Sequence, residues 1–320
     1  MLIIAETAFN HEGDFEYLLR LVDAAVESGA DTIKFQVLVD VDEFVSPKSD
    51  AYDVSKSWCF SESQWCQAID YAASLGMKIF MMPLDTSAVL LCSKPAVDFV
   101  EIHSVSFNDR ALLQAVESLD KTIAFGIGGR TLEEVKALIG RYGEQRLLLM
   151  HGFQAYPTDI EDVCFQRISY LKTHYPDLKI GYADHSAPQS DEALESSFMA
   201  YARGIRIFEK HLTLEDERTD AQSALRPAAL KKYVQKMHRF HRLADSLASN
   251  WQPMTEAETK YRYRQKQVVA ASNIEQGSVF NEQNLCLQMH TCSGSHTQIE
   301  ILLGKAASVS YQRGDVIDEN

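Results

Sequence analysis

The chain has 320 residues, a formal net charge of −14 and 46% apolar residues, with 15 Gly, 8 Pro and 6 Cys. This composition is typical of a soluble protein with a core, and it excludes a disordered chain, a collagen-like repeat and a small disulfide scaffold. The acidic balance argues against a nucleic-acid partner, because affinity for the phosphate backbone requires a basic surface. An acidic protein that handles a small anion needs local basic groups to overcome its own field.

The sequence also predicts the compartment and the state of the cysteines. Apolar runs all fall short of the roughly 18 residues of a membrane span, and no basic segment followed by a long apolar run stands at the N-terminus. We therefore expect a cytoplasmic protein with no membrane association. The six cysteines lack CxxC spacing, which favours reduced thiols over a zinc site.

Eight short apolar runs with the length of buried strands follow one another along the first two thirds of the chain. Segments with helical periodicity separate most of them, and Gly, Asp or Pro precedes the next strand. This alternation predicts an α/β fold of the (β/α)8 barrel type. The predicted strands are residues 2–8, 32–37, 78–83, 99–104, 122–127, 147–152, 179–185 and 205–212. The predicted helices include residues 15–28, 61–75, 132–141, 161–174 and 190–202.

Polar side chains concentrate where the predicted strands end. In a (β/α)8 barrel the active site is built at the C-terminal ends of the strands, so we expect these side chains to meet at one mouth. Because side chains alternate along a strand, Lys34 and Gln36 share one face, as do Glu209 and His211, and each pair can project into the barrel. The other polar residues of this set are Glu6, Asn10, His11, Asp85, Glu101, His103, Ser104, His151, Tyr156, Asp184, His185 and Lys210.

The remainder of the chain divides into three parts. An amphipathic helix at residues 227–248 closes a barrel domain that we place at residues 1–250. Residues 251–264 are polar and predict a linker. Residues 265–320 contain two similar segments, which indicates a compact β-rich domain with internal pseudo-symmetry. A domain of about 55 residues is marginally stable alone, so we expect it to dock onto another surface.

Several sequence blocks occur in a fixed order: AETAFNHEGD at residues 5–14, GADTIKFQ at 29–36, GYADHS at 181–186 and EKHLTL at 209–214. Together with AYPT at 155–158, they resemble the sialic acid (N-acetylneuraminate) synthase family, close to its spore-coat polysaccharide branch. The last domain is similar to the antifreeze-like (SAF) domain that these synthases carry. The resemblance spans nearly the whole chain and implies a TIM barrel followed by a small SAF domain of the β-clip type.

The resemblance implies a chemistry for the predicted mouth. Family members condense phosphoenolpyruvate with an acylamino-sugar aldehyde, giving a sialic-acid-like 2-keto (nonulosonic) acid and phosphate for polysaccharide biosynthesis. By position, His185 and His211 match the ligands of a divalent metal ion, Mn²⁺ or Mg²⁺. The resemblance also implies a domain-swapped homodimer in which each small domain caps the partner's barrel.

Individual residues carry over from the family in the same way. Lys34 matches a lysine that contacts phosphoenolpyruvate, and Glu6 matches a carboxylate suited to general acid/base work. With His185 and His211, these two form the predicted catalytic set. The predicted substrate contacts are Asn10, Gln36, Ser104, Gln154, Tyr156 and Asp220.

Some positions depart from the family pattern. Glu101 stands where relatives have a second lysine for phosphoenolpyruvate, and Ser106 stands where they have a sugar-binding glutamate. Met82 and Ala183 each remove a hydroxyl donor, and Met289 falls where relatives have an arginine that enters a neighbouring subunit's mouth.

The change at position 101 bears most directly on function. When an anion replaces a cation beside a trianionic ligand, we expect the binding free energy of that ligand to weaken by several kcal/mol at an effective dielectric constant of about 20. We expect compensation from His103, Arg130 or a protonated His290, or else a different substrate. The sequence thus leaves two alternatives to a phosphoenolpyruvate-dependent synthase: a metal-dependent barrel aldolase or lyase on a neutral or cationic carbonyl compound, and a non-catalytic homologue.

Overall fold

A computed structural model describes residues 1–153, 155–188, 192–246, 254–262, 264–291 and 296–319. The chain divides into two compact units, Met1–Ala244 and Asp245–Asn320. Within the described ranges, every helix is too short or too polar to cross a membrane.

The first unit is a closed barrel of eight parallel strands, in which β1 pairs with both β2 and β8. This confirms the predicted (β/α)8 fold. The strands are β1 (Leu2–Glu6), β2 (Thr32–Val37), β3 (Lys78–Pro83), β4 (Val97–Ile102), β5 (Thr122–Gly126), β6 (Leu147–His151), β7 (Lys179–Asp184) and β8 (Ile207–Leu212), with a two-residue β9 (Ala224–Leu225) beside β8. The helices of this unit are α1 (Phe15–Ser28), α2 (Val41–Phe44), α3 (Tyr52–Ser57), α4 (Glu62–Ser74), α5 (Thr86–Cys92), α6 (Arg110–Glu117), α7 (Leu132–Tyr142), α8 (Gln166–His174), α9 (Glu192–Ala202) and α10 (Pro227–Ser246).

Local sequence signals set the ends of these helices. Asp14 caps α1 by accepting a hydrogen bond from the backbone N–H of Tyr17, and Gly29 ends it with φ of 79°. In α7, Thr131 and Glu134 form a reciprocal capping box. Such caps satisfy backbone donors that a helix terminus otherwise leaves unpaired.

Two apolar layers hold the barrel together. The larger core lies between the strands and the surrounding helices, where α1, α4 and α7 bury their apolar faces. A smaller cluster fills part of the barrel interior. Its buried members are Ile4, Phe80, Ala124, Leu148, Met150 and Ala183.

Several elements differ in their bounds or content from the sequence prediction. The helix predicted over residues 161–174 is broken at Cys164, whose φ of 53° interrupts the helix between a 3₁₀ turn and α8. Strand β4 ends at Ile102 because the His103 side chain accepts a hydrogen bond from the Val105 N–H and caps a 3₁₀ turn. The segment predicted as a linker contains a helix, α11 (Glu256–Arg262).

The second unit contains an antiparallel pair, β10 (Gln267–Ala270) and β11 (Leu285–Gln288). Isolated bridges pair Ile274 with Tyr311 and Val279 with Ala306, so the two similar segments contact each other. The internal pseudo-symmetry and the assignment as a SAF domain both stay predictions. Its small core consists of Val268, Ala270, Ile274, Phe280, Leu285, Leu302, Ala307 and Ile317.

Candidate active site

A cavity of about 290 Å³ lies at the C-terminal ends of the barrel strands; we call it the mouth. At its base the ammonium group of Lys34 lies 3.1 Å from Glu6 Oε2, 2.8 Å from Glu101 Oε2 and 2.9 Å from Glu209 Oε2. These four residues, the lysine–carboxylate cluster, are almost completely buried. The ammonium group donates a hydrogen bond to Glu209 Oε2, whereas its contacts with Glu6 and Glu101 are ion pairs, and Glu101 Oε2 has no hydrogen-bond donor among the described residues.

The pKa values of the carboxyl groups in the cluster are shifted in different directions. Burial lowers the pKa of Lys34, but Glu101, Glu209 and Glu6 outweigh it and hold that pKa well above its usual value. Burial raises the pKa of Glu209 well above the ordinary range and also raises that of Glu101. Burial raises the pKa of Glu6 as well, yet Lys34 and His211 hold it well below the usual value. Carboxyls whose environments push their pKa values apart are typical of acid–base sites.

Two histidines lie beside the cluster at the ends of β7 and β8. Nε2 of His185 is 3.0 Å from Nε2 of His211, and His211 Nε2 is 3.5 Å from Glu6 Oε2. His185 donates from Nδ1 to the carbonyl of Ala183, so its Nε2 carries a lone pair directed at His211. Burial, with His211 nearby, lowers the pKa of His185 to about 3. Burial also acts to lower the pKa of His211, but Glu6 and Asp220 together raise that pKa above its ordinary value.

This geometry fits a divalent metal ion. The two imidazole Nε2 atoms lie 3.0 Å apart at neighbouring strand ends, so His185 and His211 would hold such an ion together. A second grouping brings ligand atoms of Glu6, Glu209 and His211 within 4.8 Å of one another. Nitrogen and carboxylate donors of this kind suit Mn²⁺ and related divalent ions.

The other predicted substrate contacts occupy different positions. Gln36 donates from Nε2 to Glu6 Oε1 at 2.7 Å and lines the mouth, as do Ser104, Tyr156 and Asp220. Tyr156 is half-exposed, whereas Asp220 is mostly buried and accepts a hydrogen bond from the Phe9 N–H.

Two predicted contacts are not part of the described lining. Asn10 lies behind the mouth, where it donates to the Thr219 carbonyl at 2.8 Å and accepts from the Tyr17 hydroxyl at 2.8 Å. This places Asn10 as a support for the loop that carries Asp220. Gln154 lies outside the described residues.

An apolar wall of the mouth consists of residues that, apart from Met82, the sequence analysis did not name as site residues. Phe9 and Trp58 stack with ring centroids 5.0 Å apart, and Phe44, Met82 and Leu84 also line the cavity. These residues come from the loop after β1, from α2, from the turn after α3 and from the end of β3. Because no common spacing links them, the sequence offers no signal that they meet.

Several residues that were expected at or near the mouth are not part of its described lining: His11, Asp85, Arg130, His151, Asp184 and Lys210. His151 is the last residue of β6, and its side chain points out of the barrel, where Nε2 donates to the Val163 carbonyl at 2.6 Å. Arg130, one of the expected compensating cations, lines a different cavity together with His151. His103 does line the mouth, and burial lowers its pKa to about 4, so it is neutral at pH 7.

Comparison with known proteins decides the family. Residues 21–248 match the NeuB family. The chain belongs to this family. NeuB membership confirms the resemblance to sialic acid synthases and makes the chain a transferase-type enzyme that forms C–C bonds. The non-catalytic alternative has no support from these relatives.

Individual NeuB-type relatives cover almost the whole chain. The N,N'-diacetyllegionaminic acid synthase of Campylobacter jejuni is 25% identical over 99% of this chain and 99% of its own length. The spore coat polysaccharide biosynthesis protein SpsE of Bacillus subtilis is 24% identical over 90% of this chain and 83% of its own. A crystal structure of the putative spore coat polysaccharide biosynthesis protein E from Chromobacterium violaceum has a TM-score of 0.83 at 23% identity, covering 99% of this chain and 97% of that one.

Proposed function

We propose that this protein condenses phosphoenolpyruvate with an acylamino-sugar aldehyde to give a nonulosonic acid and phosphate for polysaccharide biosynthesis. The observation that supports this proposal is the meeting of Glu6, Lys34, His185 and His211 in one buried mouth of a NeuB-family barrel. Relatives named as synthases of N,N'-diacetyllegionaminic acid and pseudaminic acid are consistent with it.

The proposed reaction forms one C–C bond and releases phosphate. C3 of phosphoenolpyruvate attacks the aldehyde carbon, water adds at C2, and the C–O bond to phosphate breaks, leaving the 2-keto acid. Glu6, which borders both Lys34 and His211, is the proposed general acid/base and orients the water. A divalent ion, Mn²⁺ or Mg²⁺, supplies Lewis-acid polarisation when His185 and His211 hold it with Glu6 nearby.

The remaining lining residues recognise the substrates in this proposal. Gln36, Tyr156 and Asp220 present amide, hydroxyl and carboxylate groups to the sugar, and Ser104 adds a hydroxyl. Lys34 attracts the anionic substrate, but its ammonium group already lies within 3.1 Å of three carboxylates. Glu6 is held by Gln36 and lies beside His211, whereas the contact of Glu101 in this cluster is with Lys34. Glu101 is therefore the carboxylate that an incoming anion displaces most easily.

The position of Glu101 also favours a second candidate function. A carboxylate 2.8 Å from the cationic group that would bind phosphoenolpyruvate disfavours an anion and favours a neutral or cationic carbonyl compound. A metal-dependent aldolase or lyase would use the same histidine pair without phosphoenolpyruvate.

Phosphate release separates these functions. The protein is incubated with Mn²⁺, phosphoenolpyruvate and a panel of acylamino-hexoses, and we expect phosphate to appear with at least one sugar. His185→Ala and His211→Ala should abolish this release and lower the bound Mn²⁺, while His174→Ala on the exposed face of α8 should change neither. If no sugar of the panel leads to phosphate release, and calorimetry in the presence of Mn²⁺ detects no phosphoenolpyruvate binding, the second candidate function would be favoured.

The second unit leads to a proposal about assembly. The described core of this unit is small, so burial of its apolar side chains provides little stability to the unit by itself. We propose that the chain forms a homodimer in which this unit, a SAF domain, caps the partner's barrel. Sedimentation at micromolar concentration should show a dimer, and a monomer would contradict the proposal.

A further inference from the structure

A second cavity, of about 400 Å³, lies outside the barrel between α7 and α8; we call it the outer cavity. It lies behind β5 and β6, whose inward residues Gly126 and Met150 line the mouth. The residues that directly follow these two in sequence are Ile127 and His151. Their side chains point to the opposite face and line the outer cavity. The two cavities therefore lie on opposite faces of the same two strands.

Arg130 and Arg167 line the outer cavity, and its described lining contains no carboxylate. For a chain with a net charge of −14 this is a local excess of positive charge. The nearby carboxylate of Glu134 already accepts a hydrogen bond from the Thr131 N–H at 2.7 Å, and its second oxygen lies 3.6 Å from Arg130 Nη1.

Both arginines keep donors available. Arg130 has its Nε buried, with no hydrogen-bond acceptor within the part of the chain that the structure describes. A buried donor without an acceptor is costly, so a movement of the Arg130 side chain that brings this N–H to an acceptor in the cavity would be favourable. The Arg167 side chain likewise makes no hydrogen bond or ion pair to any described residue, and its charge contributes to the low pKa of His151.

Much of the remaining lining is apolar. Leu132 and Val135 come from α7, and Tyr170 and Leu171 come from α8. A guanidinium group presents a planar fork of N–H donors that matches the two oxygens of a carboxylate or phosphate. An apolar wall beside such a fork is typical of a small-molecule site in which a few polar groups fix the orientation.

We propose that the outer cavity binds a small oxyanion, a phosphate or a carboxylate, that carries an apolar group. Arg130 and Arg167 hold the oxyanion, and the apolar group packs against Val135 and Leu171. This site is separate from the mouth and does not depend on the function proposed there.

Calorimetry with phenyl phosphate, benzoate and inorganic phosphate tests the site on the full chain. We expect saturable 1:1 binding of phenyl phosphate or benzoate, and the comparison between them shows which oxyanion is preferred. Inorganic phosphate should bind more weakly because it has no group to pack against the apolar wall. Arg130→Gln and Arg167→Gln should each weaken binding by about 10- to 100-fold, as expected for the loss of a charge-assisted hydrogen bond.

Two further variants complete the test. Lys136→Gln removes a positive charge from the exposed face of α7, at a residue that does not line the outer cavity, and should leave the affinity for phenyl phosphate unchanged. Arg130→Lys keeps the charge but loses the fork, so its affinity should fall between those of the wild type and Arg130→Gln. Thermal unfolding confirms that each variant is folded. No saturable binding to the wild type, or equal affinity in Arg130→Gln, Arg167→Gln and Lys136→Gln, would overturn the proposal.

Discussion

The mouth and the outer cavity lie back to back on β5 and β6, yet their charges are opposite. In the mouth, Lys34 is surrounded by three carboxylates at 2.8 to 3.1 Å. In the outer cavity, Arg130 and Arg167 have no carboxylate in the described lining. The difference shows that net charge says little about where an acidic protein binds anions, because buried groups respond to neighbours within a few ångströms.

The largest effect should follow from removing the cation of the mouth. Lys34→Met leaves Glu6, Glu101 and Glu209 buried without their cationic partner, so we expect the free energy of unfolding to fall by about 3 to 5 kcal/mol. Arg167→Gln removes a cation that has no carboxylate partner in the described lining of the outer cavity. We expect this variant to change the free energy of unfolding by about 0.5 kcal/mol or less. Denaturant unfolding of both variants measures the contrast, and equal losses would refute it.

Removing one carboxylate should make the mouth more like the outer cavity. In Glu101→Gln a negative charge 2.8 Å from Lys34 disappears, and we expect phosphoenolpyruvate to bind about 10- to 100-fold more tightly by calorimetry with Mn²⁺ present. Glu133→Gln, an equal change of charge on the exposed face of α7, should have no effect. If Glu101→Gln binds phosphoenolpyruvate no better than the wild type, Lys34 is not the group that attracts this anion.

The contents of the mouth were partly predictable from sequence. Apolar runs locate the strands, and alternation along β2 and β8 places Lys34, Gln36, Glu209 and His211 inside the barrel, as the structure shows. His151 was misplaced because a polar residue at a strand end can face either way, and only the register of β6 decides which.

Other features depend on contacts that no local pattern encodes. Asn10 supports the loop of Asp220 through Thr219, which is more than 200 residues away in sequence. The outer cavity depends on how α7 and α8 pack side by side, and helical periodicity predicts each helix but not the space between a pair. For the same reason the apolar wall with Phe9 and Trp58 emerges only in three dimensions.

A pH series tests buried histidines on both sides of the comparison. Burial lowers the pKa of His11, near the mouth, and of His151, in the outer cavity, from 6.5 to about 4. Between these values the unfolded chain binds more protons than the folded one, so stability is complete above pH 6.5 and falls as the pH drops toward 4. At pH 5 we expect each histidine to lower the free energy of unfolding by about 1 to 2 kcal/mol relative to pH 7.

Denaturant unfolding at pH 7 and pH 5 gives the size of this loss. His11→Asn keeps an acceptor for the Gly13 N–H and cannot be protonated in this range, so its unfolding free energy should depend less on pH. His174→Asn, on the exposed C-terminal turn of α8, should keep the wild-type pH dependence. A pH dependence that is the same in all three proteins would contradict the assignment.

The smallest effect concerns the rim of the outer cavity. Thr131 caps α7 by accepting a hydrogen bond from the Glu134 N–H, and Glu134 accepts one in return from the Thr131 N–H. Thr131→Ala should lower the free energy of unfolding by about 1 kcal/mol, and Thr131→Ser should restore most of it because the hydroxyl returns. Ser61→Ala removes the equivalent cap from α4, far from the outer cavity, and should cost a similar amount. If Thr131→Ala also weakens phenyl phosphate binding while Ser61→Ala does not, the start of α7 positions Arg130 for the ligand as well as stabilising the helix.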